Sequence, residues 1–218
     1  VRESNFTDLE FTDLHRMITA KEVDGIVLLS PLSSLQKTPS DRLSKLKTIP
    51  IVLGFENTYS DLGFLPSVCI DNYEAAQDAT RYLINLGHKS IAFMFGAPGD
   101  DDSLCASRKA GFQQAMKKAE TPIDEHWLID GKGSMAGARI AIRELLKQST
   151  IPTAIFCTSD EMAMGTIHEL KVAGKRIPED ISVIGFENIR FSEICDPPLT
   201  TIGQPAKEIG ARAMQKLF

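Results

Sequence analysis

Short apolar runs alternate with amphipathic stretches along the chain. The runs are hydrophobic at consecutive positions, which is typical of strands buried on both faces of a parallel sheet. The stretches between them have helical spacing, and Gly87 and Gly174 follow two of them as helix-ending glycines do. This alternation predicts an α/β fold built from βαβ units. The predicted strands are GIVLL (25–29), IPIVLG (49–54), SVCID (67–71), SIAFMFG (90–96), TAIFCTSD (153–160) and ISVIGFEN (181–188), and the predicted helices span about 7–21, 40–47, 74–86, 104–119, 135–148, 161–173 and 206–217.

Polar and aromatic side chains collect where these strands end. Phe55 follows one predicted strand, Asp71 ends another, and Ser159 with Asp160 ends a third. Because ligands of open α/β sheets bind outside the carboxyl ends of strands, these residues and Glu187 are candidates for one cleft. The alternative is helix capping, which we expect for Asp160 and which also suits Asp71. Glutamate caps helices less well, so Glu187 favours a site.

Composition limits the possible functions. The chain has 218 residues, of which 43% are hydrophobic, and a net charge of −5, without a cluster of Lys and Arg. This argues against direct contact with nucleic acid. No apolar run approaches the roughly 20 residues of a membrane span. The four cysteines show no C-x-x-C spacing, so zinc binding is poorly supported and a reducing, cytosolic compartment fits. The first residues read as mid-domain sequence, which suggests a piece of a longer protein.

The glycine-rich segment DGKGSMAG (130–137) admits two interpretations. It resembles a loop that holds a dinucleotide phosphate, but its spacing differs from G-x-G-x-x-G and the strand before it is weak. A plain turn is the favoured interpretation, and a nicotinamide-dependent enzyme is the weaker alternative. No P-loop and no G-x-S-x-G motif occurs, so P-loop chemistry and a hydrolase nucleophile elbow are unsupported, and no cofactor is expected.

Arg108 lies near the start of a predicted helix, in CASRKAGFQQAM. Its guanidinium is suited to hold a ligand oxygen with two donors. A surface ion pair with Asp100–Asp102 is the alternative, and composition alone favours it. If Arg108 serves a ligand, replacing it should change the stability of the fold little.

Several passages together resemble the LacI/GalR family of bacterial transcriptional regulators, in the family's order and over nearly the whole chain. The resemblance implies two α/β lobes of periplasmic-binding-protein type, with parallel sheets flanked by helices and joined by three crossovers. One lobe would take residues 1–71 and 204–218, and the other 72–203. The family's helix-turn-helix has no counterpart here. The passages are VDGIVLLS (23–30), GHKSIAFMFG (87–96), SRKAGFQQAM (107–116), PTAIFCTSDEMAMG (152–165), IPEDISVIGFEN (177–188) and DPPLTTIGQP (196–205), the last of which contains a short β stretch at 200–202.

The resemblance also implies roles for single residues. Arg108 matches the family's effector-binding arginine, and Glu187 stands where the family usually has aspartate, one methylene shorter. Met164 and Cys195 match positions near the family's dimer contact, with core packing as the alternative for both. The implied ligand-binding residues are Phe55, Asp71, Arg108, Ser159, Glu187 and Gln204.

The function implied is that of a non-enzymatic repressor core. Within the family, LCASRKAGF and ICDPPLTTIGQPAKEIGARAM resemble members that respond to nucleosides, so cytidine is the expected effector. We expect a cytoplasmic homodimer that binds operator DNA through an N-terminal head and does not contact a membrane. A periplasmic sugar- or nucleoside-binding protein is the alternative, and a signal peptide on the full-length chain would favour it.

Overall fold

The computed structural model describes residues 16–29, 49–57, 63, 65–96 and 103–218. They form two compact units. The first contains the described residues up to Ile70 together with Pro205–Phe218, and the second contains Asp71–Gln204. Among the described residues, no helix combines the length and the apolar character needed to cross a membrane.

The first unit contains a pair of parallel strands covered by a helix. Strand β1 (Ile26–Leu28) pairs with β2 (Ile51–Leu53). Helix α5 (Ala206–Leu217) packs on them, with Ala213 and Leu217 buried against Val52. The prediction of a strand at 67–71 is wrong. Ser67 makes one isolated bridge to Leu53, and the chain then turns towards the helix that begins at Asn72.

The second unit is built on a five-stranded parallel sheet in the order β4-β3-β5-β6-β7. Parallel pairing requires a crossover between successive strands. Helices provide the first three crossovers, whereas residues 188–199 connect the last two strands without a helix. This confirms the predicted α/β fold with parallel sheets flanked by helices. The elements are α1 (Asn72–Asn85), β3 (Ile91–Phe95), α2 (Ser103–Lys118), β4 (Leu128–Asp130), α3 (Met135–Leu145), β5 (Ala154–Cys157), α4 (Asp160–Val172), β6 (Ser182–Glu187) and β7 (Thr200–Gly203).

The two faces of this sheet bury different side chains, because successive strand residues point to opposite faces. One face is aromatic: Phe93 of β3 stacks on Phe112 of α2 at 4.9 Å between ring centroids and meets Phe156 of β5 edge-on at 5.3 Å. The other face is aliphatic and packs on α3 and α4, with Ile142 and Leu170 fully buried. The strands are therefore fixed from both sides, which holds their carboxyl ends in place.

Candidate ligand-binding site

The side chain of Arg108 reaches from α2 to the carboxyl ends of β5 and β6. Its Nε donates a hydrogen bond to Oδ1 of Asn72 at 2.9 Å, and Nη1 donates to the carbonyl oxygen of Thr158 at 2.5 Å. The guanidinium carbon lies 3.8 Å from the centre of the Phe186 ring. The alternative partners, Asp100–Asp102, lie outside the described residues. The orientation of Arg108 is thus set by three different elements of the second unit.

Glu187 ends β6, directly after Phe186, and is half-buried. Its φ of 115° lies in a region that residues with a side chain rarely adopt, and such strain is concentrated at functional sites. Its carboxylate makes no hydrogen bond or ion pair with the part of the chain that the structure describes. Burial raises the pKa of Glu187 to about 7 although the positive charge of Arg108 lowers it, and the charges of Asp160 and Glu161 add to the rise. The residue predicted from sequence, Glu187, therefore has a carboxyl group that is partly protonated near neutral pH.

The expectation that Asp160 caps a helix is wrong. The cap of α4 is Ser159, whose hydroxyl accepts a hydrogen bond from the backbone N–H of Met162 at 3.2 Å. Asp160 is the first residue of the helix and is fully buried. Its Oδ2 accepts from the N–H of Ile189 at 2.8 Å, and its Oδ1 accepts from the hydroxyl of Thr201 at 2.5 Å. The carboxylate therefore joins α4 to the ends of β6 and β7.

The other predicted ligand-binding residues have different surroundings. Asp71 is exposed and caps α1 by accepting a hydrogen bond from the N–H of Glu74 at 2.9 Å. The backbone N–H of Gln204 donates to the carbonyl oxygen of Glu187 at 3.2 Å, so these two residues are neighbours. Phe55 lies in the first unit, half-buried in the loop after β2. The second unit therefore brings Arg108, Glu187 and Gln204 to one end of its sheet. Asp71 and Ser159 instead cap helices, Asp71 with a carboxylate oxygen and Ser159 with its hydroxyl oxygen. For all of these residues a role in binding stays a prediction.

The two predicted dimer-contact residues are both half-buried. Met164 lies in α4. The thiol of Cys195 donates to the carbonyl oxygens of Ser192 at 3.2 Å and Pro197 at 3.3 Å, and its side chain packs against the aliphatic core. Cys195 therefore has a structural role, and a contact with a second copy stays a prediction for both residues.

The glycine-rich segment 130–137 forms a turn, as the favoured interpretation predicted. Ser134 caps α3, and the ammonium group of Lys132 pairs with Asp130 at 2.6 Å. A Cβ at Gly137 would lie only 2.3 Å from the carbonyl oxygen of Gly131. Gly137 therefore permits the close approach of loop and helix, which explains it without a bound phosphate. The described residues contain no group of three His, Cys, Asp or Glu side chains that could hold a metal ion.

Sequence reasoning missed two residues around Arg108. Asn72 is buried and accepts from its Nε, and Phe186 lies under its guanidinium. Phe186 could have been predicted from the sequence, because it directly precedes Glu187 and both residues lie at the same end of one strand. Asn72 had no comparable signal, because its contact with Arg108 joins two helices 36 positions apart.

Comparison with known proteins shows which family the chain matches. A family described as periplasmic binding protein-like domains matches residues 80–218. The HTH-type transcriptional repressor CytR of Escherichia coli K12 is 37% identical over 215 residues, which is 98% of this chain and 60% of the repressor. The chain therefore spans less than two thirds of that relative's length.

Solved structures of regulators match the fold over nearly the whole chain. A putative transcriptional regulator LacI from Bacillus cereus subsp. cytotoxis superposes with a TM-score of 0.81 and 29% identity, over 99% of this chain and 74% of the other. A complex of the transcriptional regulator CelR with cellobiose superposes with a TM-score of 0.80 and 29% identity, over 97% of this chain and 63% of the other. These matches confirm the resemblance found in the sequence, and these relatives are regulators rather than enzymes.

Proposed function

Because the chain belongs to the family of periplasmic binding protein-like domains, we propose that it is the effector-binding and dimerisation core of a bacterial transcriptional repressor. In this proposal the core binds a small molecule and acts, as a homodimer in the cytoplasm, on operator DNA through a helix-turn-helix head. The match to a transcriptional repressor over 98% of this chain supports the regulatory role. The ligand can alter DNA binding only as far as it binds one state of the repressor better than another.

The observation that carries the ligand site is the placement of Arg108 and Glu187 at the same end of the sheet, by the carboxyl ends of β5 and β6. Arg108 is oriented by Asn72, Thr158 and Phe186. Glu187 presents a half-buried carboxyl group on strained backbone, without a hydrogen bond or ion pair to the described residues. A carboxyl group that makes no hydrogen bond to the described residues can accept one from a ligand hydroxyl or N–H. A guanidinium and a carboxyl group at the same end of one sheet suit a ligand that carries both donors and acceptors.

We propose that this ligand is a nucleoside such as cytidine. The vicinal hydroxyls of ribose are donors for Glu187, and the oxygens of the sugar or the base are acceptors for Arg108. Sugars are the alternative ligands, since a structural neighbour is a complex with cellobiose. Both ligand classes are rich in hydroxyls, so they have to be separated by experiment.

A binding panel tests the ligand class. Calorimetry with cytidine, uridine, adenosine, hypoxanthine, ribose, cellobiose and NAD should give binding with one or more nucleosides and none with NAD. Binding of cellobiose or ribose alone would contradict the nucleoside proposal and favour a sugar-responsive protein. Binding of NAD would favour the enzyme alternative.

The regulatory role needs the full-length protein. In a gel-shift assay it should bind an operator fragment, and the nucleoside that binds in calorimetry should change that affinity. The 218-residue chain alone should not bind DNA specifically, because its net charge is −5 and phosphate attraction needs clustered positive charge. A full-length protein that is exported by a signal peptide and binds the same ligand would instead identify a periplasmic binding protein.

A further inference from the structure

The carboxylate of Asp160 contacts the backbone on both sides of Glu187, the carboxyl residue of the proposed ligand site. Its Oδ2 accepts a hydrogen bond from the N–H of Ile189, two residues after Glu187. Its Oδ1 lies against Gly185, two residues before it, where a Cβ would come within 2.3 Å of that oxygen. The carboxylate therefore touches the backbone on both sides of the strained residue.

Thr201 extends this contact to the next strand. Its hydroxyl donates to Oδ1 of Asp160 at 2.5 Å and accepts from the N–H of Asn188 at 3.3 Å. Thr201 is also the partner of Gly185 in the register of β6 and β7. The three hydrogen bonds thus link the start of α4 to both strands at the point where Glu187 leaves the sheet.

From this geometry we infer that Asp160 is a positioning residue of the proposed ligand site, which holds the backbone around Glu187 so that its carboxyl group is presented to the ligand. The positive φ angles of Glu187 and Asn188, 115° and 55°, need such support, because residues in these regions persist only where their surroundings hold them. The inference deepens the proposed function and rests on Glu187 being a ligand contact.

The charge of Asp160 has a second effect on Glu187. The groups that act on the Glu187 carboxyl are the positive Arg108 of α2, which lowers its pKa, and the negative Asp160 and Glu161 of α4, which raise it. Removing the charge of Asp160 should therefore lower the pKa of Glu187. An amide in its place retains one acceptor oxygen, so the contact is weakened rather than deleted.

A double-mutant cycle in the full-length protein tests the positioning role, with cytidine as the probe. Asp160→Asn should weaken cytidine binding roughly tenfold when Glu187 is present and much less in the Glu187→Gln background, because neighbouring residues that act together are not additive. Thr201→Val, which removes both hydrogen bonds of the Thr201 hydroxyl without touching a charge, should show the same dependence on Glu187 and covers the case in which Asp160→Asn does not fold. Asp180→Asn is the matched control and should leave the affinity unchanged. Equal losses in both backgrounds would overturn the positioning role.

A second measurement needs no ligand. In protein labelled with ¹³C at the glutamate carboxyl carbons, the Glu187 signal, assigned by its loss in Glu187→Gln, should titrate near pH 7 in the wild type. Its midpoint should be lower in Asp160→Asn and unchanged in Asp180→Asn. An unchanged midpoint in Asp160→Asn would contradict the inference. If the wild type does not bind cytidine, the nucleoside proposal fails, and this titration still decides whether Asp160 controls Glu187.

Discussion

The guanidinium carbon of Arg108 lies 3.8 Å from the centre of the Phe186 ring. At this distance the positive charge is attracted by the electrons of the ring face, and the contact is worth about 0.5–2 kcal/mol depending on its exposure. Phe186 is fully buried, so the ring itself cannot move aside. Glu187 is the next residue of the strand that carries Phe186. The ring that contacts the Arg108 guanidinium is therefore adjacent in sequence to the carboxyl group of the proposed site.

Replacing Arg108 should weaken ligand binding. Charge-assisted hydrogen bonds contribute about 1.5–3 kcal/mol each, so Arg108→Ala should lower the affinity for cytidine roughly tenfold to a few hundredfold in calorimetry. Arg108→Lys should recover only part of the lost affinity, because an ammonium group cannot donate two parallel hydrogen bonds as the planar guanidinium does. Arg176→Ala, at an exposed arginine, is the control. Unchanged affinity in folded Arg108→Ala would remove Arg108 from the site.

The same substitution should also lower stability, contrary to the expectation from sequence. Arg108 donates to buried Asn72 and to the carbonyl oxygen of Thr158. Losing these partners should reduce the free energy of unfolding by about 1–3 kcal/mol, measured by urea denaturation without ligand. A change within error would show that water replaces both hydrogen bonds.

Glu187 should make the stability depend on pH. Its pKa is raised to about 7 in the folded protein, against 4.5 in the unfolded chain. The contribution of Glu187 to the free energy of unfolding is thus fully present below pH 4.5 and is lost as the pH rises to 7. Glu187→Gln should therefore change stability little at pH 4.5 and increase it by about 2–3 kcal/mol at pH 8, measured by urea denaturation. The exposed Glu179→Gln is the control, and an equal effect of Glu187→Gln at both pH values would contradict the raised pKa.

Gly137 should not tolerate a side chain. A Cβ there would lie 2.3 Å from the carbonyl oxygen of Gly131, so Gly137→Ala should lower the free energy of unfolding by about 1–3 kcal/mol. Gly210 is the control, because it is also helical but has no atom within 4 Å of a Cβ, and Gly210→Ala should raise stability by about 0.5–1 kcal/mol. Thermal unfolding of both variants checks the pair. A Gly137→Ala protein as stable as the wild type would show that the turn and helix α3 do not need this close approach.

The proposed homodimer should depend on the face that carries Met164. Helices α3 and α4 pack together and expose Ile140 and Val172, and Ile194 is 75% exposed. Met164→Glu should weaken the dimer roughly hundredfold, because an unpaired charge would be buried in an apolar contact. Light scattering of the full-length protein over a concentration series measures this. Leu86→Glu, at the exposed leucine that directly follows α1, is the control. A Met164→Glu protein that remains dimeric at all concentrations would place the contact elsewhere.

The sequence by itself determined the secondary structure of most of the second unit and its α/β class. Strands such as Ala154–Cys157 and Ser182–Glu187 are largely apolar at consecutive positions, which is the pattern of strands in a buried parallel sheet. Glu187 and Arg108 were identified for the same kind of reason, one by its place at a strand end and the other by a motif that resembles a known family. The prediction at 67–71 failed because an apolar run becomes a strand only if a neighbour pairs with it, and Ser67 pairs at one point alone.

Tertiary structure alone decided which contacts the predicted site residues make. Sequence spacing made Asp160 a helix cap, whereas the structure directs its carboxylate to Ile189 and Thr201, which are 29 and 41 residues away. The pKa of Glu187 likewise depends on burial and on charges of two different helices, α2 and α4. Local sequence controls which conformation a segment prefers, but hydrogen bonds and electrostatic shifts at a site depend on distances between segments. Those distances exist only once the sheet and its helices have packed.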